Sequence, residues 1–225
     1  MSSRRPGRLT LPLALAAALA ACGGPGADLR RTLDESDLQA RLAARAASLL
    51  GQGLAPFQVA GERYNPDCSG FVEAVYAAEG IRLRRILQAA APRETSAVAA
   101  AWAAAGRWGR RWTDRGEWPA PGDLVFFDDT WDRNGNGRRD DPLTHLGVVE
   151  WVDPEGTVTF LHRGGRGVAR GHLDLTWPER ARAADGRELN SALRVRRGPG
   201  DDAPAMAGQL FVGFGRIDPA RSPVR

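Results

Sequence analysis

Lysine is absent from this chain: all 31 of its Lys and Arg residues are arginine. A glycine-rich phosphate loop needs a following Lys-Ser/Thr and a helix, so Gly164-Gly165-Arg166-Gly167 reads as a flexible rim and the arginine-rich 163–170 segment as a solvated loop. An all-arginine basic set beside abundant alanine points to coding bias, and no nucleic-acid partner is expected. Cysteine and histidine are also scarce. Only Cys22 and Cys68, and only His145, His162 and His172, are available for thiol or imidazole chemistry. No apolar run has a comfortable membrane-spanning length, the longest being Leu9 to Ala21.

That run follows Arg4, Arg5 and Arg8 and has the length of a signal-peptide hydrophobic region. It ends in Leu19-Ala20-Ala21-Cys22, which resembles a bacterial lipobox. The resemblance implies cleavage of residues 1–21, lipid on Cys22, a tether over 22–36, and anchoring in the cell envelope on the periplasmic side of the outer membrane. A plain secretory signal with a coincidental cysteine is the alternative. Cleavage leaves 225 − 21 = 204 residues, of one-domain size, and removes three arginines, so the formal charge drops from +4 to +1. With Cys22 lipidated, Cys68 has no disulfide partner and reads as a free thiol.

The folded domain is expected over 37–217, with a tail at 218–225. An amphipathic helix carries Leu38, Leu42, Ala46, Leu49 and Leu50. A second starts at Cys68 and stops near Gly80, and a third covers Glu94 to Ala105. Residues 81–92 read as a connection. Strands follow at Leu124–Phe127, Leu146–Val152, Thr157–Leu161, Ala192–Arg196 and Gln209–Phe214, with Asp153-Pro154-Glu155-Gly156 as a hairpin turn. Helices first and strands last define an α+β class with an antiparallel sheet. Trp102, Trp108, Trp112 and Trp118, interleaved with arginines, read as cover for a core edge rather than a ligand platform.

Asn65-Pro66-Asp67 is a turn that caps the Cys68 helix. In the first turn the helix dipole favours thiolate, which marks Cys68 as a candidate nucleophile. Such a nucleophile needs a base and a group to orient that base. His145 and His162 stand at the joined ends of two adjacent predicted strands and can fill both roles; His172 reads as a surface residue.

Four segments, Asp67-Cys68-Ser69-Gly70-Phe71-Val72, Pro121-Gly122-Asp123-Leu124-Val125-Phe126-Phe127, His145-Leu146-Gly147-Val148-Val149 and His162, together resemble the NlpC/P60 family of papain-like cysteine peptidases and the related CHAP amidases. The resemblance implies a papain-like fold with helices packed on an antiparallel sheet. It implies Cys68 as nucleophile, His145 as base and then acid, and His162 as the orienting group. Asp67 and Ser69 would hold a substrate amine, and Tyr64 stands nearest the place where many members carry an oxyanion tyrosine. The implied substrate is the peptide stem of peptidoglycan, cut through a thioester by a monomer that requires no cofactor. A catalytically silent wall-binding lipoprotein on the same fold is the alternative, with acyl transfer on lipids ranked last.

One loop stands outside that pattern. In Asp132-Arg133-Asn134-Gly135-Asn136-Gly137-Arg138-Arg139-Asp140, oxygen side chains fall at positions 1, 3, 5 and 9 with glycine at 6, the opening of a calcium loop. Position 12 is Leu143 where a bidentate Glu belongs, so Asp132, Asn134, Asn136 and Asp140 form either a structural calcium site or a solvated Asx/Gly turn.

Overall fold

The computed structural model describes residues 25–114, 116–194 and 205–224; the expected signal segment 1–21 and Cys22 lie outside them. Glu35–Arg225 form one compact unit. Helix α1 spans Pro25–Ser48, α2 Cys68–Ala78, α3 Leu83–Ala90 and α4 Ala97–Trp108. A small hairpin of β1 (Phe57–Val59) and β2 (Glu62–Tyr64) precedes α2. Its two-residue turn places Ala60 and Gly61 at positive φ, the mirror-type geometry that matches strand twist.

Helix α1 corrects one expectation: the segment expected as a 22–36 tether is helix from Pro25 on. Proline fits the first helical position, where its fixed φ is already helical and its missing N–H is not needed. The supposed connection 81–92 contains α3, whose Leu83, Ile86 and Leu87 are buried at helical spacing. Helix α4 starts later than expected, because Ser96 Oγ accepts from Ala99 N at 3.3 Å and sets the cap there.

The main sheet is built from β3 (Gly109–Trp112), β4 (Leu124–Phe127), β5 (His145–Val152), β6 (Val158–Gly164), β7 (Gly167–Leu173) and β10 (Phe211–Ile217). Its strand order is β3-β10-β4-β5-β6-β7, antiparallel throughout. The fold is therefore α+β, as expected. Strands β8 (Ala192–Arg194) and β9 (Ala205–Met206) pair separately, ahead of the short α5 (Ala207–Leu210).

Two strands of the main sheet escaped the sequence reading. Gly164 to Gly167 is the tight β6–β7 turn and 167–173 is a strand, so the 163–170 segment is neither loop nor rim. Strand β3 (Gly-Arg-Arg-Trp) carries no apolar alternation and exists because β10 pairs with it. The sheet separates two apolar layers. Leu124, Phe126, Leu146, Val148 and Leu161 face the helices, while Val125, Phe127, Val149, Phe160 and Phe214 face the other side. The expected tail is also structured: Asp218 caps a 3-10 turn at Pro219–Arg221 and Val224 packs on the helix-side core. Trp108 is buried, Trp102 and Trp112 are partly buried against the two cores, and arginines lie over all three rings; Trp118 is exposed. Among the described residues no helix is long and apolar enough to cross a membrane.

Asp123 closes the Pro-Gly-Asp turn from within. It is fully buried, accepts from Ala120 N at 2.8 Å, and takes Arg216 of β10 in two hydrogen bonds at 2.7 and 2.9 Å. Burial still holds its pKa above the ordinary carboxylate value despite Arg216, so the pair is held mainly by geometry. Asp123→Ala is expected to lower stability by about 3 kcal/mol, measured by urea unfolding, because a buried amide and a guanidinium both lose their acceptor.

Candidate active site

The site is assembled where α2 begins. Asp67 has extended backbone and its Oδ1 accepts from Gly70 N and Ser69 Oγ, each at 2.7 Å, which makes it the cap read from the sequence. Cys68 is the first helical residue and a free, partly buried cysteine. A Cβ at position 70 would stand 2.1 Å from the Asn65 carbonyl oxygen, so only glycine lets the turn fold back this tightly. Phe71, Val72, Val75 and Tyr76 then anchor the helix in the core.

Across from the helix stands the first turn of β5. The Cys68 sulfur takes a hydrogen bond from the backbone N–H of Leu146, the residue after His145. His145 Nε2 lies 2.8 Å from His162 Nδ1, with the rings nearly perpendicular at 87°. The β5–β6 pairing and the Asp153–Gly156 turn produce this meeting. Gly147 makes room for it, since a Cβ there would come within 2.9 Å of the Phe160 ring and 3.4 Å of His162 Cβ. One N–H between two imidazoles can serve only one donor. If His145 Nε2 donates to His162, His145 Nδ1 carries the lone pair and is the nitrogen free to act as a base.

Electrostatics overturn one expectation. Desolvation raises the Cys68 thiol to about 11, and the Leu146 amide only partly opposes it, so the helix start does not deliver a resting thiolate. Desolvation also holds His145 well below its ordinary range, with repulsion from His162 adding to it, and takes His162 down to about 4. Near neutral pH the three groups are therefore a thiol and two uncharged imidazoles.

Two cavities flank this point. One, of about 590 Å³, is lined by Asp67, Cys68, Ser69, Glu94, Leu143 and Thr144 among others. The second, of about 900 Å³, includes His145, His162 and Arg163 in its wall, and Trp131 borders both. Asp67 and Ser69 thus stand in the cavity of Cys68. Tyr64 does not: it is absent from both linings, and its hydroxyl lies 3.1 Å from Glu62 Oε2. His172 is half-buried, its Nδ1 3.1 Å from Glu188 Oε2. Sequence reasoning missed Trp131 and Arg163. The first sat inside a loop read for its oxygens, and the second inside a strand read as a rim.

The four oxygen residues of that loop hydrogen-bond within it. Asp132 accepts from Gly135, Asn136 and Gly137 amides at 2.8 to 3.2 Å, and Asp140 accepts from the Asn134 and Asn136 side-chain amides at 3.1 Å. Among the described residues no group of three or more His, Cys, Asp and Glu is gathered for a metal. Two of the four groups are amides whose oxygen and nitrogen exchange places by a flip.

A helix-start cysteine packed on an antiparallel sheet whose adjacent strands carry two touching histidines is the layout of a papain-like α+β domain. Residues 59–164, a little under half of the chain, match the family model for the CHAP domain. CHAP domains are hydrolases, amidases or peptidases directed at peptidoglycan. No curated protein and no solved structure matches the chain.

Both histidines are neutral in the fold, while an unfolded His binds a proton near 6.5. Between that pH and about 4 the unfolded state holds more protons, so stability falls as pH drops through this window. Chemical denaturation from pH 8 to pH 4 is expected to show this slope, and His162→Asn is expected to reduce it.

Proposed function

We propose that the protein is a lipid-anchored wall hydrolase that cuts an amide bond of peptidoglycan stem peptides with Cys68, His145 and His162. One observation carries this function: the paired strands β5 and β6 bring His145 Nε2 to 2.8 Å from His162 Nδ1, and the amide of Leu146, next to His145, acts on the Cys68 sulfur. The thiol proton passes to His145 Nδ1 as sulfur attacks the scissile carbonyl. The new imidazolium stays hydrogen-bonded to His162, and the oxyanion meets the Cys68 backbone amide at the helix start. His145 then protonates the leaving amine, and water releases the acyl group from the thioester. Asp67 and Ser69 face the substrate amine in this scheme. The domain acts as a monomer, needs no redox or organic cofactor, and hangs from Cys22 in the outer membrane facing the wall.

The neutral resting state shapes the pH profile. His145 stays available as a base well into acid, and Cys68 stays a thiol up to about 11. Activity therefore depends on proton transfer during attack rather than on a preformed ion pair. The high thiol pKa and the occupied Tyr64 hydroxyl are what favour the second function, a silent wall-binding lipoprotein. Cys68→Ala separates the two. It is expected to reduce cleavage of purified wall fragments by on the order of 10⁴-fold, read by mass spectrometry of the products, with circular dichroism unchanged. Undiminished cleavage by that variant overturns the mechanism, and no cleavage by the unaltered protein favours the silent binder.

Asp132, Asn134, Asn136 and Asp140 are proposed to hold one calcium ion once the two amides turn their oxygens inward, which would fix the loop leading to His145. Calorimetry with millimolar calcium is expected to show one-site binding that Asp132→Ala removes; no heat removes calcium from the scheme.

A further inference from the structure

Arg163 follows His162 in β6 and is only 8% exposed. Its Nη1 donates to the Gly164 carbonyl, while its buried Nε has no hydrogen-bond partner. Among the described residues no carboxylate pairs with it. Its neighbours handle charge differently. Arg170 is tied to Glu150 by two hydrogen bonds at 2.6 and 2.7 Å, and Arg166 is exposed to water at the hairpin turn.

A cation taken out of water without a counter-ion costs several kcal/mol, and an apolar residue of similar volume would serve the fold better. Arg163 carries that cost in the wall of the cavity that holds His145 and His162. A guanidinium with an unpartnered donor matches a carboxylate, which such a group can take through two parallel N–H bonds. The cavity of Cys68 also borders Trp131 and is lined by Asp67 and Glu94 against one cation, Arg133, whereas the charged residues lining the histidine side are all arginines.

We infer that Arg163 is a specificity residue that receives a free carboxylate of the substrate peptide in the histidine-side cavity. This rests on the proposed hydrolase function, and it restricts the substrate to peptides carrying an acid near the bond that meets Cys68. An amide in place of that acid leaves a buried cation unpaired in the complex, as it is in the free protein. The difference between the two ligands is therefore the energy of one desolvated charge pair.

The test uses a synthetic stem-type peptide ending in a free carboxylate and the same peptide ending in a carboxamide. The unaltered protein is expected to turn over the acid with a KM on the order of a hundredfold lower than the amide. Arg163→Met is expected to abolish that preference, chiefly through KM, with Tm no lower than before. Arg163→Lys is expected to keep part of the preference. A lower Tm for Arg163→Met, or an equal loss on both peptides, makes Arg163 structural and overturns the inference. If neither peptide is cleaved by the unaltered protein, the hydrolase function is what has failed. Calorimetric binding of the same two peptides then decides: tighter binding of the acid, lost in Arg163→Met, upholds the inference, and equal binding overturns it.

Discussion

Everything at this site depends on how closely the start of α2 is pressed against the start of β5. That contact puts the Cys68 sulfur on the Leu146 amide, and it strips water from the sulfur and both imidazoles. Two effects compete at the thiol. A helix terminus contributes about 0.3–1 kcal/mol to a nearby anion. The rise of the thiol from 9.0 to about 11 corresponds to about 3 kcal/mol in the opposite sense. Desolvation wins, and the site rests uncharged. The 2.8 Å bond between His145 and His162 belongs to that state, because two protonated rings could neither share a proton nor tolerate each other.

Local chemistry was legible in the sequence. Asp67 as a cap, Cys68 as first helical residue, Leu124–Phe127 as a strand and Asp153–Gly156 as the turn that joins two histidine-bearing strands all follow from neighbours within a few positions. What could not be read there is pairing at a distance. Strand β3 has no apolar pattern of its own and is defined by β10, about a hundred residues later in the chain. Strand β7 holds two glycines and one arginine and is defined by the full ladder it makes with β6. Helix α3 was legible after all: Leu83, Ile86 and Leu87 have helical spacing, but the arginines between them suggested a connection.

The candidate site shows the same division. Residue types and order pointed to Cys68, His145 and His162, because a nucleophile and its base must come from this short list of reactive side chains. Their protonation was misread, since burial is a property of the packed helix and sheet rather than of the spacing. Tyr64 was misplaced for a related reason. Its ring packs with the core and its hydroxyl is taken up by Glu62 within the same small hairpin.

The neutral resting site and the buried arginine act at different steps. Attack by sulfur creates an imidazolium at His145, and the group that orients this ring is itself an uncharged imidazole. No negative charge from His162 offsets the new positive one, and desolvation of both rings opposes it further. The free protein thus resists the protonation that catalysis requires. A carboxylate settled on Arg163 is held in the ground state and in the transition state alike, so this contact selects the acid-bearing peptide through KM and leaves the proton transfer to His145 to the sulfur and the two rings.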